Sequence, residues 1–157
     1  MLNGAGTLNK TGSGTLTISG TSNSITGILR VSQGNVNITG TLASLNQIRI
    51  ENSSSTVTLN RHDVFGNHMA SSPSIVFTAG GTLSNAANRF NHIGAITLVD
   101  GATITTNGNH SSGGTAIAGM NLDGDITLAR NATANLNATN SGTYGLGTGS
   151  DLSLIHI

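Results

Sequence analysis

The sequence predicts an all-β fold, a stacked parallel β-solenoid of about six coils with roughly twenty residues in each. Three observations lead there. The opening stretch "NGAGTLNKTGSGTLTISG" says Gly-Thr-Leu twice, at 6–8 and again at 14–16. Apolar residues alternate with polar ones in short runs that return at a nearly fixed interval. The polarity comes from Gly, Asn, Thr and Ser rather than from charge: of 157 residues, 22 are glycine, 8% are charged and 3% aromatic.

The runs are TLTIS at 15–19, NVNIT at 35–39, TVTLN at 56–60, AITLV at 95–99 and DITLA at 125–129, with SIVFTA at 74–79 a looser member. Aligned on the first inward residue they give Leu16, Val36, Val57, Val76, Ile96 and Ile126, at steps of 20, 21, 19, 20 and 30. A second series, Leu8, Leu29, Ile48, Phe65, Leu83 and Ile104, falls between them at steps of 21, 19, 17, 18 and 21. Two registered series with one period put at least two strands in each coil. Alternation with period two sends Leu16 and Ile18 to one face and Thr15, Thr17 and Ser19 to the other, as in a half-buried strand. No apolar stripe of helical period interrupts the pattern, so helices are expected to be few or absent.

If successive coils stack, equivalent strands pair in parallel about 4.8 Å apart and six coils make a rod about 30 Å long. Corners between strands need positive φ or a side chain that bonds its own backbone, which Gly and Asn supply. Gly20, Gly27, Gly34, Gly40, Gly80, Gly81, Gly94 and Gly101 are placed there. Outward Thr and Asn are expected to stack along the rod and to hydrogen-bond to their copies one coil away. The single proline, Pro73, suits the start of a strand, where no N–H is needed.

The formal net charge is zero and no Lys/Arg cluster occurs, which argues against a nucleic-acid or anionic-membrane partner, since phosphate binding needs concentrated positive charge. There is no cysteine, hence no disulfide framework and no thiolate metal site. No run of about eighteen apolar residues marks a membrane span. Met1-Leu2-Asn3-Gly4 has neither the basic start nor the apolar stretch of a signal peptide. Because the chain opens inside a repeat, its true beginning is expected to lie upstream.

At Asn3–Leu42 the residues carry a family likeness. This stretch resembles the passenger-associated transport repeat of bacterial autotransporters, with Leu8, Lys10, Gly12, Gly14, Thr15, Leu16, Ile18 and Gly20 fitting its first half and Gly27, Val31, Gly34 and Val36 its second. The aromatic often found near Ile25 is missing. Residues 74–108 resemble the looser coils that accompany such repeats. The resemblance implies a right-handed parallel β-helix: residues 1–151 as one segment, 3–42 transport-repeat-like and 43–151 looser. It implies a secreted or surface-displayed passenger, extracellular and anchored at the bacterial outer membrane through a C-terminal β-barrel translocator outside this chain. Such a segment aids folding during secretion and forms a rigid stalk, part of an adhesin in some proteins. It implies no cofactor, no metal and no membrane insertion of the segment itself.

The competing class is a carbohydrate-active or carbohydrate-binding β-helix, a lyase, hydrolase or tailspike-like protein. A paired-carboxylate mechanism would draw on Glu51, Asp63, Asp100, Asp123, Asp125 and Asp151, gathered over neighbouring coils about 6–10 Å apart. Asp123 and Asp125 share a face if both lie in one strand. No Asp-Asp, Asn-Thr-Asp or Gly-His-Gly motif appears, and "RIE" at 49–51 is a superficial echo. His62, His68, His92, His110 and His156 show no metal-ligand spacing and read as surface-loop residues. No catalytic, cofactor-binding or metal residue is therefore assigned. Two irregular stretches, 61–73 and 106–122, are read as corner excursions or binding loops, the second adding about ten residues to its coil. Asn-x-Ser/Thr triplets at Asn9, Asn37, Asn52, Asn109, Asn131 and Asn137 are what chance gives in so Asn-rich a chain. No calcium-binding Gly-Gly-x-Gly-x-Asp repeat is present.

The last residues stand apart. "LSLIHI", 152–157, resembles the translation of a transposase end used in sequencing-library preparation and is expected to be a non-native tail. An apolar strand is the other reading.

Overall fold

A computed structural model describes residues 1–21, 23–66, 72–86, 89–107, 119–139, 147–148 and 154–156. Among these residues the chain is all β, with no helix. Every strand pairing is parallel. The longest sheet has seven strands. In spatial order these are Thr7–Lys10, Ile28–Val31, Gln47–Ile50, Ser74–Phe77, Ile96–Leu98, Ile126–Leu128 and Leu154–His156. A six-stranded sheet holds Thr15–Ile18, Asn35–Ile38, Thr56–Leu59, Gly81–Asn85, Ala102–Asn107 and Asn135–Thr139. Two shorter sheets complete the set, Asn3–Gly4 with Ser24–Ile25, and Phe90–Ile93 with Gly119–Leu122 and Gly147–Thr148. In each sheet the spatial order of the strands follows the chain, so each round of backbone adds one rung. This topology is compatible with a β-helix.

Vertical alignment builds the core. Leu8, Leu29, Ile48, Ile75, Ile96 and Ile126 stack in one ladder. Leu16, Val36, Val57, Leu83, Ile104 and Leu136 stack in the other. The inner members are buried: Ile48, Ile75, Val57, Leu83 and Ile104 are each 0% exposed, whereas Leu136 on the last rung is 41% exposed. Burial of each branched side chain against the copies above and below removes apolar area from water, at about 1.5–3 kcal/mol per side chain.

Past Val57 the ladders depart from the expected series. Val76 was expected to follow Val57, and Phe65 to follow Ile48. Instead Ser74–Phe77 lies beside Gln47–Ile50, with Ile75 on Ile48 and Leu83 on Val57. Val76 faces outward on Arg49, and Phe65 sits in a turn, 1% exposed. The cause is the excursion after Asn60. It lengthens one round, so that Gln47 and the residue stacked on it, Ser74, lie 27 positions apart, against 21 for Asn35 and Thr56 below. Both large sheets carry the same alternation, so counting at a fixed period steps from one sheet to the other.

The interior also holds polar groups, among them a bonded pair of asparagines. Asn85 and Asn91 are 0% exposed. Asn91 Nδ2 donates to Asn85 Oδ1 at 2.8 Å and to the Arg61 carbonyl at 2.9 Å, while the Val64 N–H donates to Asn91 Oδ1 at 2.7 Å. Asn85 Nδ2 donates to the Arg89 carbonyl at 2.6 Å. A fully satisfied buried network of this kind fixes the corner where one sheet hands the chain to the next.

Lys10 explains the basic residue of the opening repeat. It occupies an inward position stacked on Val31 and is 8% exposed. Its Nζ donates to three backbone carbonyls, Thr11 at 3.0 Å, Gly12 at 2.6 Å and Gln33 at 3.0 Å. One side chain thus ties two successive corners together. Gly34 must be small to allow it: its φ is 75°, and a Cβ there would meet the Gly12 and Gly14 carbonyls and Lys10 Nζ. Pro73 precedes its strand by one residue, and its carbonyl accepts the Gly94 N–H at 2.9 Å.

Gly34→Ala is expected to lower stability by at least about 2 kcal/mol, from the left-handed backbone and the carbonyl contacts. Gly14→Ala, which meets nothing within 4 Å, is expected to be close to neutral. Urea melts of the two variants check the contrast.

Candidate functional site

The acids named in the sequence do not converge. Glu51 follows the strand Gln47–Ile50 and binds Arg30 and Arg49. Asp63 lies in a turn on another side, where its backbone N–H donates to the Phe90 carbonyl at 2.9 Å. Asp100 Oδ1 accepts the Thr133 N–H at 2.9 Å. Asp123 pairs with His92. Asp63 and Asp123 share a side of the fold, but two rungs and four residues of strand separate them, about 16 Å at strand spacings. That exceeds the span across which carboxylate pairs cooperate in glycoside cleavage, about 10 Å at most. Nor do Asp123 and Asp125 share a strand face. The strand Gly119–Leu122 ends before them and the next begins at Ile126, so Asp123 turns into its partners while Asp125 is exposed. Asp151 lies outside the described residues.

The densest charged group is on the outer face of the seven-stranded sheet. Arg30 and Arg49 are neighbours in register, one rung apart. Glu51 bridges them, with Oε2 on Arg30 Nε at 2.6 Å and Oε1 on Arg49 Nε at 2.7 Å. Ser32 Oγ donates to Glu51 Oε2 at 3.1 Å. Burial by itself would raise the Glu51 carboxyl; the hydrogen bonds from Arg30 and Ser32 and the two guanidinium charges outweigh it and hold the group below its ordinary value. Thr7, Asn9 and Ile28 complete a depression of about 560 Å³ around the trio. The bridge answers a register problem: without Glu51, two like charges would sit directly opposite each other on adjacent strands.

A second cluster was not legible in the sequence. His92 was read as a loop residue, yet it lies in the strand Phe90–Ile93, opposite Asn121 of Gly119–Leu122. Its Nδ1 is 3.0 Å from Asp123 Oδ2, and the two side chains are 9% and 7% exposed. Asn121 Nδ2 donates to Asp123 Oδ1 at 2.6 Å and Ser72 Oγ donates to Oδ2 at 2.9 Å. A carboxylate accepts only, so Nδ1 carries the proton in this arrangement. Phe90 packs edge-on against the ring, centroids 4.9 Å apart. Asp123 thus orients an imidazole, half of what a serine hydrolase needs. Ser72 does not supply the other half, because it bonds the carboxylate and not the ring, while a nucleophile must hand its proton to the base.

No protein-family model, curated protein or solved structure matches the chain.

The irregular stretches are partly visible. Of 61–73, the described residues include two that bond the next rung: the Phe90 N–H donates to His62 Nδ1 at 3.1 Å and the Asp63 N–H to the Phe90 carbonyl at 2.9 Å, while the Gly66 N–H closes a turn on the Asp63 carbonyl at 3.0 Å. Residues 108–118 of the other stretch, with His110, and also His68, lie outside the described residues. Leu154–His156 forms a strand paired with Ile126–Leu128. Among the described residues no group of three or more His, Cys, Asp or Glu is placed to hold a metal ion. The His92–Asp123 pair was hidden because its members are 31 residues apart in sequence, with an irregular stretch between them. Only the true register brings them together.

Because the folded-state pKa of Glu51 is lowered, its stabilisation is present above the unfolded value, about 4.3, and is lost as pH falls through the folded one. Glu51→Gln is expected to cost about 1 kcal/mol at pH 7, since both arginine heads remain half in water. It is also expected to flatten the loss of stability below about pH 4.3. Denaturant midpoints from pH 3 to 7 for both proteins check this.

Proposed function

We propose that this chain is a noncatalytic structural segment of an autotransporter-type passenger, secreted to or displayed at a bacterial outer membrane. In this reading the fold is a right-handed parallel β-helix and serves as a rigid stalk. The observation that carries it is the growth of the sheets by one in-register rung for each round of chain. A chain emerging progressively from a pore can fold by such a rule, because each finished rung offers an edge on which the next one forms, without awaiting distant sequence.

The opening repeat supports the same reading. Lys10, Gly12 and Gly34 are positions of the transport-repeat pattern, and here they make one corner together. Partners in this account are a β-barrel translocator outside the chain and, for an adhesin, a host-surface ligand. The carbohydrate-active alternative is disfavoured by the dispersal of Glu51, Asp63, Asp100 and Asp123 among separate partners.

Sequencing the native gene outward from both ends of this segment tests the proposal. An in-frame signal peptide upstream and a β-barrel region downstream are expected, with LSLIHI absent from the native frame. A closed reading frame with neither would contradict it.

A further inference from the structure

The outward face of the six-stranded sheet differs from that of the seven-stranded sheet. Its strands present two residues each: Thr15 and Thr17, Asn35 and Asn37, Thr56 and Thr58, Thr82 and Ser84, Thr103 and Thr105, Asn135 and Asn137. The register stacks them into two rows, Thr15–Asn35, Thr56–Thr82–Thr103–Asn135 in one and Thr17–Asn37–Thr58–Ser84–Thr105–Asn137 in the other. Asn35 and Thr56 join the two parts of the first row through the hydrogen bond from the Thr56 N–H to Asn35 Oδ1, 3.0 Å. Neither row contains a charged or an aromatic residue.

Strand propensity alone does not account for the pattern. Threonine suits any outward strand position, but the outward positions over the first six strands of the seven-stranded sheet read Thr7, Asn9, Ile28, Arg30, Gln47, Arg49, Ser74, Val76, Thr97 and Thr127, with cations and bare aliphatic groups among them. Nor do the hydroxyls serve the fold. Outward Thr and Asn were expected to bond their copies, and on the other faces some polar side chains do link rungs, Ser32 to Asn9 and Gln47 to Ser74. On this face the hydroxyls of Thr15, Thr17, Thr58, Thr82, Ser84, Thr103 and Thr105 make no hydrogen bond to any described residue. They point to water on a grid of about 4.8 Å along the stack and about 6.6 Å across it.

We propose that this face binds ice. An uncharged grid of Thr, Ser and Asn lacks the cations that a polyanion requires and the apolar or aromatic lining of a small-molecule site. Ordered water is the ligand it matches. Each methyl restricts the orientations of the water beside it, and each hydroxyl anchors a water through one donor and two lone pairs. Repeated on a rigid parallel lattice, these restraints place water at intervals near those between oxygens on the faces of hexagonal ice. The backbone sets the interval in advance, so little ordering remains for the moment of contact.

The test is partition of the 157-residue chain into a slowly growing ice hemisphere, beside a co-dissolved inert protein, with recrystallisation of fine ice grains as a second readout. Enrichment in the ice and arrested grain growth are expected. Thr58→Lys and Thr105→Lys are expected to need about tenfold more protein for the same arrest, with far-UV circular dichroism unchanged; Thr97→Lys on the seven-stranded face is expected to act as the parent does. Thr58→Ser, which removes one methyl and spares the fold, is expected to fall between. Exclusion of the parent from ice to the same extent as the inert protein would overturn the proposal, as would full activity in the face variants. Exclusion from ice together with binding to particulate cellulose or chitin that the lysine variants lose would also overturn it and assign the face to a polysaccharide.

Discussion

Parallel in-register stacking is the constraint on which the rest of this structure depends. A β-strand alternates its side chains with period two, so a slip of one residue between rungs would turn every ladder residue from core to solvent. Ile48, Val57 and Ile75 are buried because each sits on a like residue above or below. The same alignment that buries these ladders imposes penalties wherever the repeated residue is not apolar. Arg30 over Arg49 needs Glu51 between them. Lys10 over Val31 must find its acceptors at the corner, among backbone carbonyls.

Much of this was legible in the sequence, and the failures share one cause. The first three members of each apolar series, Leu8, Leu29 and Ile48 and then Leu16, Val36 and Val57, are the ladders seen in the structure. So are the corner glycine Gly34, the strand start after Pro73 and the absence of helix among the described residues. Prediction broke at residues 60–73, where the excursion changed the phase and exchanged the two sheets. Everything that needed the register beyond that point was lost with it, including the inward Ile75, the meeting of His92 with Asp123 and the buried Asn85–Asn91 bond. Periodicity reports that an apolar residue faces inward; it does not report which sheet receives it.

Three of the parallel sheets carry different chemistry although their backbones pair in the same way. One presents the arginine–glutamate bridge, one encloses the imidazole–carboxylate pair under Phe90, and one repeats Thr and Asn without charge. The first two are local: each involves two or three rungs and reads as repair of, or addition to, a particular stack. The third extends over every rung of its sheet. In a protein with only 8% charged residues, such hydroxyl and amide surfaces supply much of the outward polarity.

Because each rung packs mainly on its neighbours along one continuous core, stability is expected to pass from rung to rung. Native-state amide hydrogen exchange measures this directly, since local opening energies reveal cooperative units. The slowest exchange is expected in Gln47–Ile50, Thr56–Leu59, Ser74–Phe77 and Gly81–Asn85, with protection falling in steps toward Thr7–Lys10 on one side and Ile126–Leu128 on the other. Equal protection of inner and outer rungs, lost in a single global transition, would contradict it.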